Sequence, residues 1–389
     1  MIPKVNIGVL GRFHGFDLAE QLEKHGYLKN LITSYPRFKV RQWQIPSKRI
    51  KNNLRLEIFN RINAKTRSLN IIDAQSSINS MHANFCKKYL KECDIFIGWS
   101  GSSLESIKHA KNLDKITILE RGSTHYSFQV NILDAEYRRL GIKPPKINKS
   151  VWSRELEEYE LCDYISVSSD FAKKTFTDQG IKSTKIIVNP YGVNLKQFNV
   201  LPKKDNIFRI VFVGTASIRK GFHLLIEAFN ELKLANAELV HIGTVDKDIR
   251  FILKKDAFKK VIFKGYVQQD KLINQYSQGS VFILPSIEEG LAMVQLQAMA
   301  CGLPLICTEN SGGKMLIEHN KEGLIIEAGN KDAIKNSILK LYENPEIVNQ
   351  MSRAAEEKAK SRFSWNDYGE RYIENLKFIL RNNVAQEIN

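Results

Sequence analysis

Two cations stand side by side at Arg219 and Lys220 in the stretch VFVGTASIRKGFHLL (211–225), where an apolar run ends at Gly214 and a helical pattern opens at Gly221. A helix N-terminus offers unpaired backbone N–H groups and the positive end of the helix dipole. Cations placed there oppose the dipole and are a poor choice for stability alone. The pair therefore implies a bound anion of two or more charges, against the bland reading of two solvent-facing cations. The pattern G-x-x-x-x-G-K-[ST] is absent, which excludes a Walker loop. A second constellation lies in VFILPSIEEGLAMVQLQAMACGLPLICTENSGG (281–313). A buried-strand run ends at Pro285-Ser286, followed by two carboxylates and a glycine, Glu288, Glu289 and Gly290. A helix is expected from Leu291 to Cys301, closed by Gly302 and Pro304. Its first residues, Leu291, Ala292 and Met293, would offer backbone donors to a second anion. Glu289 beside them can accept hydrogen bonds from sugar hydroxyls, or serve only as a cap near the helix start. Gln297, eight residues on, lies on a similar face of that helix.

Weaker signals occur elsewhere. GRFHG (11–15) follows the first apolar run and reads as a tight turn at Gly11 and Arg12. ERGSTHYSFQ (120–129) follows another strand-like run, so Arg121 and His125 face the cleft expected there; a salt-bridged arginine and a surface histidine are the alternative. DKD (246–248) has the Asp-x-Asp spacing of a metal–diphosphate bridge, but it follows a strand of the second half and reads as an exposed turn. No metal is expected.

The elements that must position these groups follow from periodicity. In the first half, VNIGVL (5–10), LKNLITS (28–34), DIFIGWS (94–100), ITILE (116–120), YISVSS (164–169) and KIIVNP (185–190) are strand-like. Helical patterns lie between them at 16–26, 78–91, 103–112 and 170–179. Strands separated by helices imply βαβ units and a buried parallel sheet. The polar, Pro-containing NVLPKKDN (199–206) marks a boundary. A second series then runs through RIVFVG (209–214), the amphipathic 221–233, ELVHIG (238–243), VIFKGYV (261–267), VFILPS (281–286), LPLICT (303–308) and GLIIE (323–327). From Trp365 to Leu380 a helix is expected, with Tyr368, Tyr372, Leu376 and Ile379 roughly on one face. The predicted fold is α/β, two facing Rossmann-like doubly wound domains at 1–199 and 200–364, with a C-terminal helix, 365–389, crossing back to the first. Two such sheets hold one ligand from each side at the carboxyl ends of their strands, as a two-substrate enzyme requires.

Composition bounds the partners. Of the 389 residues, 43% are apolar and 26% charged, an ordinary globular balance that excludes collagen, coiled coil and extended disorder. No run of 18 apolar residues occurs, so no spanning helix is expected, and the opening MIPKVNIGVLGRFHG reads as a first strand, not a signal peptide. The five cysteines, with no Cys-x-x-Cys, suit buried thiols in a reducing compartment. Net charge is +16, and 32 basic against 19 acidic residues precede position 199, so the excess sits in the first half. Residues 35–67 carry ten basic residues and one acid, Glu57, interleaved with Tyr35, Phe38, Trp43 and Phe59. Such a surface favours an anionic membrane or glycan, with nucleic acid ranked below and not expected, against the bland reading of a solvated face.

The two segments that carry chemistry also occur in a known order. RKG (219–221), KGYV (264–267), LPS (284–286), Glu289 with Gln297 after seven residues, AMACGLP (298–304) and SGG (311–313) resemble the retaining GT-B glycosyltransferases of family 4, as does NPYGVNLKQF (189–198) at the end of the first domain. The likeness covers nearly the whole second domain. It implies a glycosyltransferase that moves a hexosyl unit, with retention, from a nucleoside diphosphate sugar, UDP- or GDP-linked, to a hydroxyl of a glycan or lipid-linked glycan. That is the chemistry of surface polysaccharide or lipopolysaccharide synthesis, performed in the cytoplasm and peripherally on the inner face of the membrane. No cofactor is implied beyond the donor substrate. The resemblance assigns Arg219, Lys220 and Glu289 to catalysis, together with either Arg121 or His125. It places Gly11 and Arg12, Gly214 and Thr215, Tyr266 and Val267, the turn Gly290–Met293, and Gln297 around the nucleotide. Two positions depart from the pattern. Gln297 replaces a glutamate that accepts from ribose hydroxyls, which removes charge assistance and about 1 kcal/mol from that contact. Thr215 stands where many relatives have arginine, and Arg219 is expected to supply that charge. A nucleotide-sugar epimerase of the same architecture and a non-enzymatic basic glycan- or membrane-binding protein are the rival readings.

Overall fold

The computed structural model describes residues 2–68, 74–253 and 255–387. Among them the first domain contains a parallel sheet of seven strands: β1 Val5–Val9, β2 Leu28–Thr33, β3 Ile50–Asn52, β4 Ile95–Trp99, β5 Ile116–Arg121, β6 Tyr164–Val167 and β7 Ile186–Val188, in the order β3-β2-β1-β4-β5-β6-β7. The second contains six: β8 Phe208–Val213, β9 Ala237–Ile242, β10 Val261–Phe263, β11 Val281–Leu284, β12 Leu305–Thr308 and β13 Gly323–Ile326, in the order β10-β9-β8-β11-β12-β13. Both reverse direction beside their first strand, the doubly wound arrangement that opens a crevice at the carboxyl edge. β4 and β11 are buried along their whole length, which is why their sequences read as unbroken apolar runs instead of alternating ones; β1 is equally buried and carries one polar residue, Asn6.

The two carboxyl edges meet. The loop after β5 and Ser169 after β6 touch the turn after β11: a Cβ on Gly290 would lie 2.5 Å from the Gly122 carbonyl, and Ser169 Oγ donates to the Gly290 carbonyl at 2.7 Å. Arg12, after β1, donates to Gln269 of the second domain at 3.2 Å. The last helix, Trp365–Glu387, packs back on the first domain through Tyr368, Tyr372, Leu376 and Ile379, all buried. Arg371 donates to the Pro190 carbonyl, and a backbone bridge joins Ser364 to Val193. At the cleft edge of β5, Tyr372 Oη donates to Glu120 Oε1 at 2.7 Å while His14 Nε2 lies 3.1 Å from Glu120 Oε2, so the helix closes a buried polar chain inside the other domain.

Several elements differ from the periodicity reading. VIFKGYV is strand only at Val261–Phe263. The predicted Leu291–Cys301 helix spans Met293–Ala300, because Ala292 is its extended cap residue. DKD is not an exposed turn: Asp246 caps the helix Lys247–Ile252, and Asp248 accepts from Tyr137 Oη of the first domain at 2.7 Å. The strand Ile50–Asn52 is very short and the helices Leu54–Ser68, Tyr126–Arg139 and Lys149–Leu161 carry no clear apolar stripe, so periodicity does not find them; Lys331–Glu343 and Pro345–Arg362, which bury Ile334, Ile338 and Leu341 and Met351, Ala355 and Ala359, are further helices that the sequence reading leaves out. The end of the expected 365–389 segment, residues 388 and 389, lies outside the described residues.

Tyr372→Phe removes the donor to Glu120 and leaves one buried carboxylate oxygen short of a partner. A loss of about 1–3 kcal/mol in unfolding free energy is expected by denaturant titration, with the far-UV signal of the folded state unchanged.

Candidate active site

The chemistry-bearing segments are held together by main chain. Gly221 has φ 66°, and a Cβ there would sit 1.9 Å from the Pro285 carbonyl oxygen, so only glycine lets the start of helix Phe222–Leu232 approach the end of β11. Ile287 N–H donates to the Arg219 carbonyl at 2.9 Å, and Glu289 N–H to the Asn310 carbonyl at 3.0 Å. Gly312, φ 72°, packs where a Cβ would be 2.3 Å from the Gly290 carbonyl. The backbone from 285 to 290 is thus clamped between the 219–221 and 310–312 segments.

This clamp brings two cations and two carboxylates into contact. Lys220 Nζ ion-pairs with Glu289 Oε2. Arg219 bridges both acids, with Nε 2.7 Å from Glu288 Oε2 and Nη2 3.0 Å from Glu289 Oε1. Glu288, unassigned by the sequence reading, is fully buried and reaches across the cleft. It accepts from Ser123 Oγ at 2.7 Å, Thr124 Oγ1 at 2.6 Å and Gln129 Nε2 at 2.8 Å. Burial works against its charge, but Arg219 and the hydroxyls of Thr124 and Ser123 outweigh it and hold the carboxyl down at about 2. Burial likewise opposes the charge on Arg219, and Glu289 and Glu288 overcome it and raise its pKa. Further along the same face of helix Tyr126–Arg139, Glu136 Oε1 accepts from His223 Nε2 of the second domain at 2.8 Å. Its carboxyl is held at about 2, where Arg139 and His223 outweigh burial, so it is an acceptor only and the proton of this contact lies on the histidine.

The remaining residues singled out by sequence are distributed around this cluster. Gly214 (φ 132°) ends β8, and Thr215 Oγ1 lies 3.1 Å from Thr244 Oγ1 at the exposed mouth between β8 and β9. Tyr266 is 80% exposed, with Val267 partly buried beside it. Leu291 and Ala292 are buried, and Met293 opens its helix. The Gln297 carbonyl oxygen accepts from Tyr276 Oη at 3.1 Å, so that acceptor is already engaged within the second domain. Gly11 (φ 86°) donates its N–H to Ser34 Oγ at 3.0 Å, while the Arg12 guanidinium stacks 4.8 Å from the Trp43 ring. Arg121 and His125 do not present free groups to the cleft. Arg121 ion-pairs with Glu155 at 2.7 Å and donates to the Thr124 carbonyl at 3.1 Å. His125 caps helix Tyr126–Arg139, its Nδ1 accepting from Ser127 N–H at 3.2 Å, and its ring packs against Tyr159 and Phe176. Burial, with Arg121 nearby, lowers its pKa to about 4, so the ring is neutral at pH 7. The pair shapes the 122–124 loop and so acts on the cleft through Glu288. His14 lies inside the GRFHG turn. Its buried contacts with Glu120, Trp99 and Tyr191 come from three separate segments and leave no local signal in the sequence.

Two Rossmann-like sheets joined at their carboxyl edges make up the GT-B fold. HepE of Anabaena, whose solved structure is described as a complex with UDP and glucose, superposes with a TM-score of 0.72 over 96% of this chain and 99% of that one at 13% identity. Residues 193–358 match the model of the family described as glycosyl transferases group 1. An uncharacterised glycosyltransferase of Methanocaldococcus jannaschii is 25% identical over 270 residues, 64% of this chain and 69% of that protein. The amylovoran biosynthesis glycosyltransferase AmsK of Erwinia amylovora is 29% identical over 199 residues, 48% of this chain and 49% of its own length. The chain thus spans between half and about two thirds of the curated relatives it matches.

Glu288→Ala strips Arg219, Ser123, Thr124 and Gln129 of their shared acceptor. The expected cost is about 3–5 kcal/mol in unfolding free energy, that of removing one partner of a buried pair. Glu288→Gln serves as the pH control. The folded carboxyl titrates at about 2 against an ordinary 4.5, so its stabilisation is complete above about pH 4.5 and fades as pH falls toward 2. The stability gap between the native protein and Glu288→Gln, read by thermal unfolding, should close over that window.

Proposed function

We propose that this protein transfers a hexosyl unit from a nucleoside diphosphate sugar, UDP- or GDP-linked, to a hydroxyl of a glycan or lipid-linked glycan, with retention of anomeric configuration, as a peripheral enzyme of surface polysaccharide synthesis. The observation that carries this reading is the cluster of Arg219, Lys220 and Glu289 between the two carboxyl edges. AmsK, named for amylovoran biosynthesis, and HepE, described with UDP and glucose, support the acceptor and donor classes.

The roles follow from charge. When the bond from the sugar's anomeric carbon to the diphosphate breaks, negative charge grows on the leaving oxygen. Arg219 and Lys220 are already in place and partly shielded from water, so little reorganisation is needed when that charge appears. In the structure Glu288 and Glu289 together offset the two cations, and a diphosphate competes with Glu289 for them. Glu289 is then released to accept hydrogen bonds from the sugar hydroxyls. The first turn of the Met293–Ala300 helix, preceded by Gly290, Leu291 and Ala292, adds backbone donors. Gly11, Arg12, Gly214, Thr215, Tyr266 and Val267 line the approaches to the nucleotide. With two fixed cations at the leaving group, no metal ion is required by this scheme. Gln297 meets the ribose through its amide nitrogen or through the lone pair of its carbonyl oxygen that Tyr276 leaves open.

A thermal-shift screen of UDP, GDP, ADP and their sugars tests the class and names the base, and a product assay with a glycan acceptor follows. Conversion of a nucleotide sugar without acceptor would instead establish an epimerase. Lys220→Ala should lower transfer by about 10²–10³-fold, the cost of one preorganised donor. Activity within threefold of native in the folded variant would remove Lys220 from the site. Transfer should survive excess EDTA, and rescue of a lost activity by Mn²⁺ would overturn the metal-free scheme.

A further inference from the structure

The helix Leu54–Ser68 is built inside out. Toward the protein it buries Leu56 together with two polar side chains, Glu57 and Asn63. Those two are satisfied internally. Glu57 accepts from Ser34 Oγ at 2.7 Å and Arg61 Nε at 2.8 Å, and Asn63 accepts from Ala74 N–H at 2.8 Å and donates to Gln75 at 3.2 Å. Toward solvent it presents Leu54, Ile58 and Ile62, which are 48%, 57% and 54% exposed, with Phe59 beside them at 52%. A spacing of four residues sets the three aliphatics in one ridge along the helix. Single exposed apolar side chains are ordinary on a soluble protein, whereas a contiguous ridge marks a contact surface. Next to it, between this helix and Gln75–Lys87, runs an open groove of about 360 Å³ lined by Phe59, Met81 and Phe85 and walled by Arg55 and Lys88.

The charge around the ridge selects its occupant. The only acid of residues 35–67 is Glu57, and it is turned inward against Ser34 and Arg61, so the outer face of this stretch carries cations and no carboxylate. Arg55 and Lys65 are exposed along the helix. An apolar ridge with cationic margins matches the boundary between the anionic headgroups and acyl chains of a bilayer. The 48–51 cations contribute less: Arg49 is paired with Glu23 at 3.3 Å and Lys51 folds back on the Lys48 carbonyl.

The helix also sits beside the cleft. It begins just after β3, at the carboxyl edge of the first sheet, where Asn53 N–H donates to the Thr33 carbonyl at 3.0 Å. Ser34, which holds Glu57, also accepts the Gly11 N–H, and Thr33 Oγ1 donates to the Gly11 carbonyl. Two short contacts therefore connect the apolar helix to the loop that lines the cleft, and Phe13 of that loop is itself exposed.

We propose that the helix Leu54–Ser68 seats on an anionic lipid bilayer, with Leu54, Ile58, Phe59 and Ile62 at the headgroup–acyl boundary, so that a lipid-carried acceptor meets the cleft edge at Gly11–Phe13 without leaving the membrane. This rests on the reading of a glycosyltransferase with a lipid-linked acceptor and assigns its contact surface.

The test is sedimentation of the full chain with vesicles of equal phosphatidylglycerol and phosphatidylcholine, and with phosphatidylcholine alone. It is run on the native protein and on Ile58→Ser/Ile62→Ser, with the UDP-induced thermal shift measured in parallel. The expected result is salt-sensitive partitioning onto the anionic vesicles, weakened roughly tenfold or more by the double substitution, with the nucleotide shift unchanged. Equal partitioning of variant and native protein would overturn the helix as the contact and leave a membrane enzyme attached elsewhere. Absence of native partitioning, with the nucleotide shift intact, would overturn both the seat and the lipid-linked acceptor while leaving glycosyl transfer standing. A concentration-dependent dimer in analytical ultracentrifugation that the double substitution abolishes would assign the ridge to a second copy instead. Partitioning without any nucleotide shift would leave the seat and remove the transferase.

Discussion

A buried carboxylate is tolerated only where fixed positive charge and hydrogen-bond donors repay its lost hydration. Glu288 is such a group, and the cleft is organised around satisfying it. Arg219 supplies the charge, while Ser123, Thr124 and Gln129 of the other domain supply the donors. Because Arg219 must also face Glu289, the same guanidinium fixes the position of the acid paired with Lys220. The tight backbone approaches at Gly221, Gly290 and Gly312 are what allow four charged side chains to share so small a volume.

The coupling of the two domains is correspondingly polar. One helix of the first domain, Tyr126–Arg139, meets the second through Gln129, Glu136 and Tyr137, each with a hydrogen-bonded partner. The last helix provides the apolar counterpart, crossing from the second domain to bury Tyr368, Tyr372, Leu376 and Ile379 in the first.

The outward apolar ridge of Leu54–Ser68 obeys the same accounting in reverse. Its inner face spends Glu57 and Asn63 on bonds to Ser34, Gln75 and Ala74, and its outer face keeps the aliphatics. A helix arranged in this way gains little from packing on its own domain, and its sequence suits a surface other than water.

Much of the architecture was legible in the sequence. Parallel strands buried on both faces favour apolar runs, and β4 and β11 stand where such runs occur, while β1 and β8 hold one polar residue each, Asn6 and Arg209. Glycine-bounded starts and ends located the helices Gly15–Lys24, Phe222–Leu232 and Met293–Ala300 to within two residues. Arg219, Lys220 and Glu289 could be named because each lies beside a helix start or strand end, where local chemistry alone implies an anion site. Helices whose apolar stripe is weak, such as Tyr126–Arg139 and Lys149–Leu161, escaped, since periodicity needs a continuous apolar face. Tertiary structure alone decided that Glu288 spans the cleft, that the His125 ring packs on Tyr159 and Phe176, that Arg121 is an ion-pair partner, and that Asp248 serves Tyr137. The partners of these groups lie from 34 to 165 residues away in the chain, or in the case of His125 in the packing of two separate helices, so nothing in the local sequence distinguishes them from ordinary surface charge.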